Sequence, residues 1–185
     1  MPRLIKNGAI AEDRWTLLRE GASLAELPAG VPVIAPLAQW KADRATLSGR
    51  GEVGVWLKPD DDPEALADDV AILPLIAIDF PKFTDGRGYS IAQLLRTRHR
   101  FTGELRAIGD VLRDQLYYMH QCGFDAFAVR PDKSIEDALK ALTDFSDGYQ
   151  ATVREPIPLF RRRAPAGVVR EHSSAANDPH EPRNR

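Results

Sequence analysis

The sequence predicts an α/β domain of about five parallel strands alternating with helices, preceded by an N-terminal β-hairpin. Short β-branched apolar runs are each followed by a helix-periodic stretch, repeating at roughly 20–28 residues. Two of these runs, 31–36 and 73–80, are nearly continuous in apolar residues, the pattern of strands buried on both faces. Parallel neighbours need crossovers of about this length, and right-handed crossovers cover a sheet with helices. An open three-layer sheet accommodates five strands and is preferred over a half or incomplete βα barrel. A full eight-stranded barrel takes about 250 residues, whereas the chain has 185.

The hairpin is expected within residues 1–18, where Asn7-Gly8 separates two short apolar runs. A type I′ turn needs positive φ at both central positions, which Asn-Gly supplies. The first strand, "VPVIAP" (31–36), leads into the helix-periodic "LAQWKADRATL". The second, "EVGVWLKP" (52–59), precedes a helix start with Asp62 as cap, Pro63 in the first turn and Glu64 behind it. The third, "LPLIAIDFP" (73–81), precedes a helix capped by Ser90. The fourth, "GELRAIGD" (103–110), is followed by a helix that Gly123 stops, and the fifth, "FDAFAVRP" (124–131), by one with Ser134 and Asp137 in capping-box register. Residues 151–163 read as an edge strand interrupted by Pro156 and Pro158. A single domain over 1–163 is expected, with 164–185 a disordered tail of Pro, Ala, Ser and charge.

Composition narrows the function classes. A net charge of −2 gives no global attraction to nucleic acid or anionic membrane. No apolar run approaches the roughly 20 residues of a membrane span, and the first residues lack a secretory apolar core, so a cytoplasmic protein is expected. The one cysteine, Cys122, cannot form an internal disulfide or a zinc or iron–sulfur cluster from this chain alone. Neither a phosphate-loop nor a dinucleotide fingerprint occurs, so no cofactor and no metal are expected.

In parallel α/β sheets ligands lie at the carboxyl ends of the strands. Past the second strand stand Lys58 and Asp60 to Asp62; past the fifth, Arg130, Asp132 and Lys133. The richest connection is past the third strand: Lys82, Asp85, Gly86, Arg87, Gly88, Tyr89 and Ser90. Its glycines free the backbone, amides at a helix start can hold an anion, and Arg87 offers a planar fork for oxyanion oxygens. Arg113, past the fourth strand, extends that polar rim. Asp79 and Asp110, at strand ends, are the candidate catalytic carboxylates, for acid–base work. The same residues also read as an ordinary strand-to-helix connection, because Asp-Gly is common turn chemistry and serine a common cap.

Two motifs in order, Phe83-x-Asp85-Gly86-Arg87-Gly88-Tyr89-Ser90 and Gly109-Asp110-Val111-Leu112-x-Asp114-Gln115, resemble the core signature of a bacterial family catalogued as domain of unknown function 934. The likeness covers roughly residues 1–163 and is densest in 73–130. The resemblance implies association with assimilatory sulfite reduction, whose family members are labelled oxidoreductases, and it supplies no catalytic residues to carry over. The reading that follows is a small accessory protein in sulfur assimilation, partnering sulfite reductase or its electron donor and binding a small oxyanion at the strand-end loops. The alternatives are an oxidoreductase or other enzyme acting on a small anion in sulfite reduction, with any electron carrier brought by the partner, and a small-ligand-sensing regulatory module.

Overall fold

A computed structural model describes residues 2–22, 27, 28 and 30–163. The expected tail, 164–185, lies outside the described residues. Strand β1 (Arg3–Lys6) turns through Asn7 and Gly8 into β2 (Ala9–Glu12). Both turn residues have positive φ, 50° and 75°. A two-residue strand, β3 (Thr16–Leu17), follows, and then β4 (Val33–Pro36), β5 (Val53–Leu57), β6 (Leu75–Phe80), β7 (Glu104–Gly109) and β8 (Ala126–Phe127). Helices α1 (Leu37–Ser48), α2 (Arg87–Thr97), α3 (Arg113–Gln121) and α4 (Ile135–Lys140) lie between or after them, and α5 (Leu159–Arg162) is a short turn further on.

The eight strands form one curled half-barrel sheet in the order β2-β1-β8-β7-β6-β5-β4-β3. From β3 to β8 every pairing is parallel, while β1 runs antiparallel to both β2 and β8. The parallel set is therefore six strands, and the order never reverses. A monotonic order with same-handed crossovers puts every helix on one face. The preferred three-layer sheet needs a reversal, and that arrangement is not what forms.

Chain geometry supplies a second reason. A flat eight-stranded sheet would hold its edges about 34 Å apart. Here β2 and β3, the two edge strands, are joined by Asp13, Arg14 and Trp15 alone, which reach at most about 14 Å. The sheet has to curl until its edges nearly meet. Trp15 and Leu17 then pack on an inner cluster of Ile34, Trp56, Leu75, Ala77 and Ile108. Trp56 Nε1 donates to the Leu18 carbonyl at 2.9 Å, fixing the chain just past β3. The outer face carries the larger core, where Val55, Ile76, Ile78 and Phe80 meet Trp40, Ile91, Leu95, Leu116 and Met119 from the helices.

Three local expectations change. After β5 the chain makes only a 3₁₀ turn, Pro63–Leu66, although Asp62 caps it by accepting from the Glu64 amide at 3.0 Å. The Ala65, Ala67 and Asp69 amides bond three residues back, and the Asp69 carboxylate is drawn to Trp40 Nε1 (2.7 Å) and to Arg44 on α1. Helix α2 starts at Arg87, so Ser90 lies inside its first turn rather than capping it. Residues 151–158 form no strand; Val153 N instead bonds the Gln121 carbonyl at the end of α3.

Candidate functional site

The loop between β6 and α2 is built inward. The Asp85 carboxylate accepts from the Arg87 amide (3.2 Å), Nε (2.9 Å) and Nη2 (2.7 Å), and Arg87 Nη1 also reaches Asp60. Arg87 holds the Asp85 carboxyl down at about 2. The planar fork expected for an anion is thus occupied by two carboxylates of the same chain. Gly86 precedes the helix on the exposed side. Gly88 is buried, and a Cβ there would sit 2.7 Å from Phe80 Cζ, so this glycine serves close helix-to-strand packing. The Tyr89 ring packs tilted between those of Phe80 (centroids 5.3 Å apart) and Tyr118 (5.0 Å). Lys82 and Ser90 are exposed.

The other candidates part company. Asp110 accepts from the Phe83 amide and from Arg130 Nη1, both at 2.9 Å, so it clamps two strand-end loops together. Arg113 turns toward Asp137 (3.3 Å) and Asp144 (3.1 Å) and ties α3 to α4 and the segment after it. Asp79 stands on the inner face, in alternation with Leu75 and Ala77. Its carboxylate accepts no hydrogen bond among the described residues. Burial raises its pKa, and Arg19 pulls in the opposite direction.

A cavity of about 370 Å³ opens on this inner face, between the chain leaving β3 and the chain leaving β8. Its floor is Leu17, Ile34, Ile108 and Ala128; its walls carry Arg3, Arg19, Arg106, Arg130 and Lys133 against one carboxylate, Asp13. Most of that charge is already met. Arg106 is buried between Asp13 (2.9 Å) and Glu104 (2.7 Å). Arg3 pairs with Glu136 (2.8 Å), Arg130 with Asp110 and Asp132 (both 2.9 Å), and Lys133 lies 3.6 Å from Asp132. The guanidinium of Arg19 makes no hydrogen bond or ion pair among the described residues. One arginine fork with no hydrogen bond or ion pair, above an apolar floor, can bind the oxygens of a small anion, in surroundings that are already cationic.

Other chemistries find less here. No group of three or more His, Cys, Asp or Glu side chains suited to a metal occurs among the described residues. Cys122 is buried and its thiol pKa is pushed up by that burial, which makes it a core residue rather than a nucleophile. No described helix is long and apolar enough to cross a membrane.

Sequence reasoning named Arg130 and Lys133 among strand-end residues but missed Arg19 and Arg106. Arg106 had a signal: in "ELRAIG" it alternates with Leu105 and Ala107, which face the outer core, so it must point to the inner face. Arg19 had none, because its place depends on β3, a strand of two residues that no periodicity marks.

A family model described as a bacterial protein of unknown function (DUF934) matches residues 54–160. The match includes Asp79, the Arg87 loop, Arg106 and Arg130, and leaves Arg3, Asp13 and Arg19 outside it. No curated protein and no solved structure matches the chain.

Proposed function

The chain belongs to this family of bacterial proteins of unknown function, and from that premise we propose that it is an accessory protein of assimilatory sulfite reduction that binds a small oxyanion in the inner-face cavity. The observation that carries the binding is Arg19, whose guanidinium makes no hydrogen bond or ion pair among the described residues and lines a cavity with four other cations. The sulfite assignment draws on the two sequence motifs around Arg87 and Asp110, and it makes sulfite reductase or its electron donor the partner in the cytoplasm. The loop at Arg87 holds the strand end in shape and stands outside the binding site.

Thermal-shift and calorimetric titrations of the full chain with sulfite, sulfate and phosphate at fixed ionic strength test the binding. A ligand that binds only the folded state raises the midpoint by mass action. Arg19→Ala should weaken binding by about 1.5–3 kcal/mol, the contribution of a charge-assisted contact. A wild-type chain that binds none of these anions would end the reading.

A second reading is an enzyme acting on the same anion, with Asp79 as general acid–base. It is favoured by a half-buried carboxylate that is unbonded and whose pKa lies above the ordinary value. Turnover lost in Asp79→Asn with anion binding retained would establish it.

A further inference from the structure

We infer that the inner-face cavity selects oxyanions that carry their own O–H group, hydrogenphosphate or hydrogensulfite in type, with Arg19 holding the oxygens and the Asp79 carboxylate accepting the ligand's proton. The inference rests on the oxyanion reading above and names the ligand class within it.

The placement of Asp79 follows from the strand. Leu75 and Ala77 lie in the inner cluster, while Ile76, Ile78 and Phe80 lie in the outer core, so period-two alternation puts Asp79 inside at the carboxyl end of β6. The neighbouring strand end is Gly109, which lines the cavity. A Cβ at 109 would sit 2.6 Å from Asp79 Oδ1, so a side chain there would collide with the carboxylate. Glycine at this place, with φ of 92°, leaves room for the Asp79 carboxylate directly behind a residue that lines the cavity, at the cavity's edge.

The charges around Asp79 leave Arg19 as its one counterpart. Lys58, past β5, is bound by Glu20; Asp110, past β7, by Arg130 and the Phe83 amide; Arg87, opening α2, by Asp85 and Asp60. Arg19 is the charged group that acts on Asp79, and neither side chain makes a hydrogen bond or ion pair among the described residues. Burial without a donor raises the carboxyl's pKa, as a carboxylate awaiting a proton donor would show.

Selectivity follows from what each anion offers. Sulfate at neutral pH has acceptor oxygens only, so beside Asp79 it sets acceptor against acceptor and negative charge against negative charge. An anion with an O–H donates to Asp79 while its remaining oxygens take the Arg19 fork. An unpaired carboxylate of this kind discriminates against the wrong ligand by repulsion as well as by a missing bond. For sulfate to bind, Asp79 must first take up a proton.

The test is calorimetry on the full chain at constant ionic strength near neutral pH, with phosphate, sulfite and sulfate, for the wild type and Asp79→Asn. Phosphate and sulfite should bind at least about tenfold more tightly than sulfate to the wild type. Asp79→Asn, whose amide can donate, should close that gap by raising sulfate affinity. Wild-type sulfate binding should strengthen as the pH falls from about 8 to about 5.5, with proton uptake, and lose that dependence in the variant. Equal wild-type affinities, or a gap that survives in Asp79→Asn, would overturn the selectivity while leaving oxyanion binding intact. Binding of none of the three would remove both.

Discussion

Arg19 and Arg87 carry the same group and differ in what surrounds it. Arg87 is locked by Asp85, two positions before it, and by Asp60, 27 positions before it. Its ion pairs are exposed, so Arg87→Ala should change stability by less than about 1 kcal/mol. It should also leave anion affinity unchanged, measured beside Arg19→Ala in the same titration. A tenfold loss in the Arg87 variant would return the site to the loop. The contrast explains what was legible. "DGRG" shows that the backbone is free to turn and that a guanidinium is present, both visible in local sequence. Whether that guanidinium is free is decided by a partner from another strand end, which local sequence does not carry. Asp79 could be singled out because a charged residue ending an apolar strand is itself a local signal.

Elements with strong local chemistry were read well. The Asn7-Gly8 turn, Ser134 accepting from the Asp137 amide (3.1 Å) and Gly123 at φ 107° closing α3 are each set by neighbours in sequence. The missing helix after β5 shows the limit. Its start signal was sound, but the segment bends so that Asp69 can meet α1, a tertiary demand that outweighs propensity. Helix α3 carries its own pH test. Burial, with Arg154 adding repulsion, depresses the His120 pKa to about 4. The unfolded chain therefore takes up this proton first as pH falls. Stability from this residue is complete above about 6.5 and is lost progressively toward 4, by roughly 1–2 kcal/mol once solvent screening is allowed for. His120→Gln should flatten that part of the acid limb in urea melts at stepped pH. An unchanged limb would place the titration elsewhere.

At the scale of the molecule the sheet's closure rests on few residues. The strap from Asp13 to Trp15 is fastened from inside by Arg106, 2% exposed, which Asp13 and Glu104 share. Arg106→Met removes the shared cation and leaves Asp13 without its partner, a loss expected to cost about 3–5 kcal/mol. Amide exchange at Thr16 and Leu18, which bond to Pro32 and Ile34, should accelerate with it if the strap is what closes the sheet. Global destabilisation with no selective loss at those amides would mean that β3 is held by its own pairing. Strand order was the least legible feature, since an open sheet and a curled one repeat the same strand–helix rhythm and differ only in which neighbours pair.

The antiparallel contact of β1 with β8 sets Ile5 against Phe127, 122 positions apart (127 less 5). On a ribosome, the hairpin leaves before β8 and waits for those 122 residues before its partner strand exists. Until then its buried Leu4 and Ile5 have no sheet to join. Closing so long a loop is an entropic cost met late, in a single step. The cavity, whose lining runs from Pro2 to Ile135, therefore comes into being only after β8 and the segment behind it have been made.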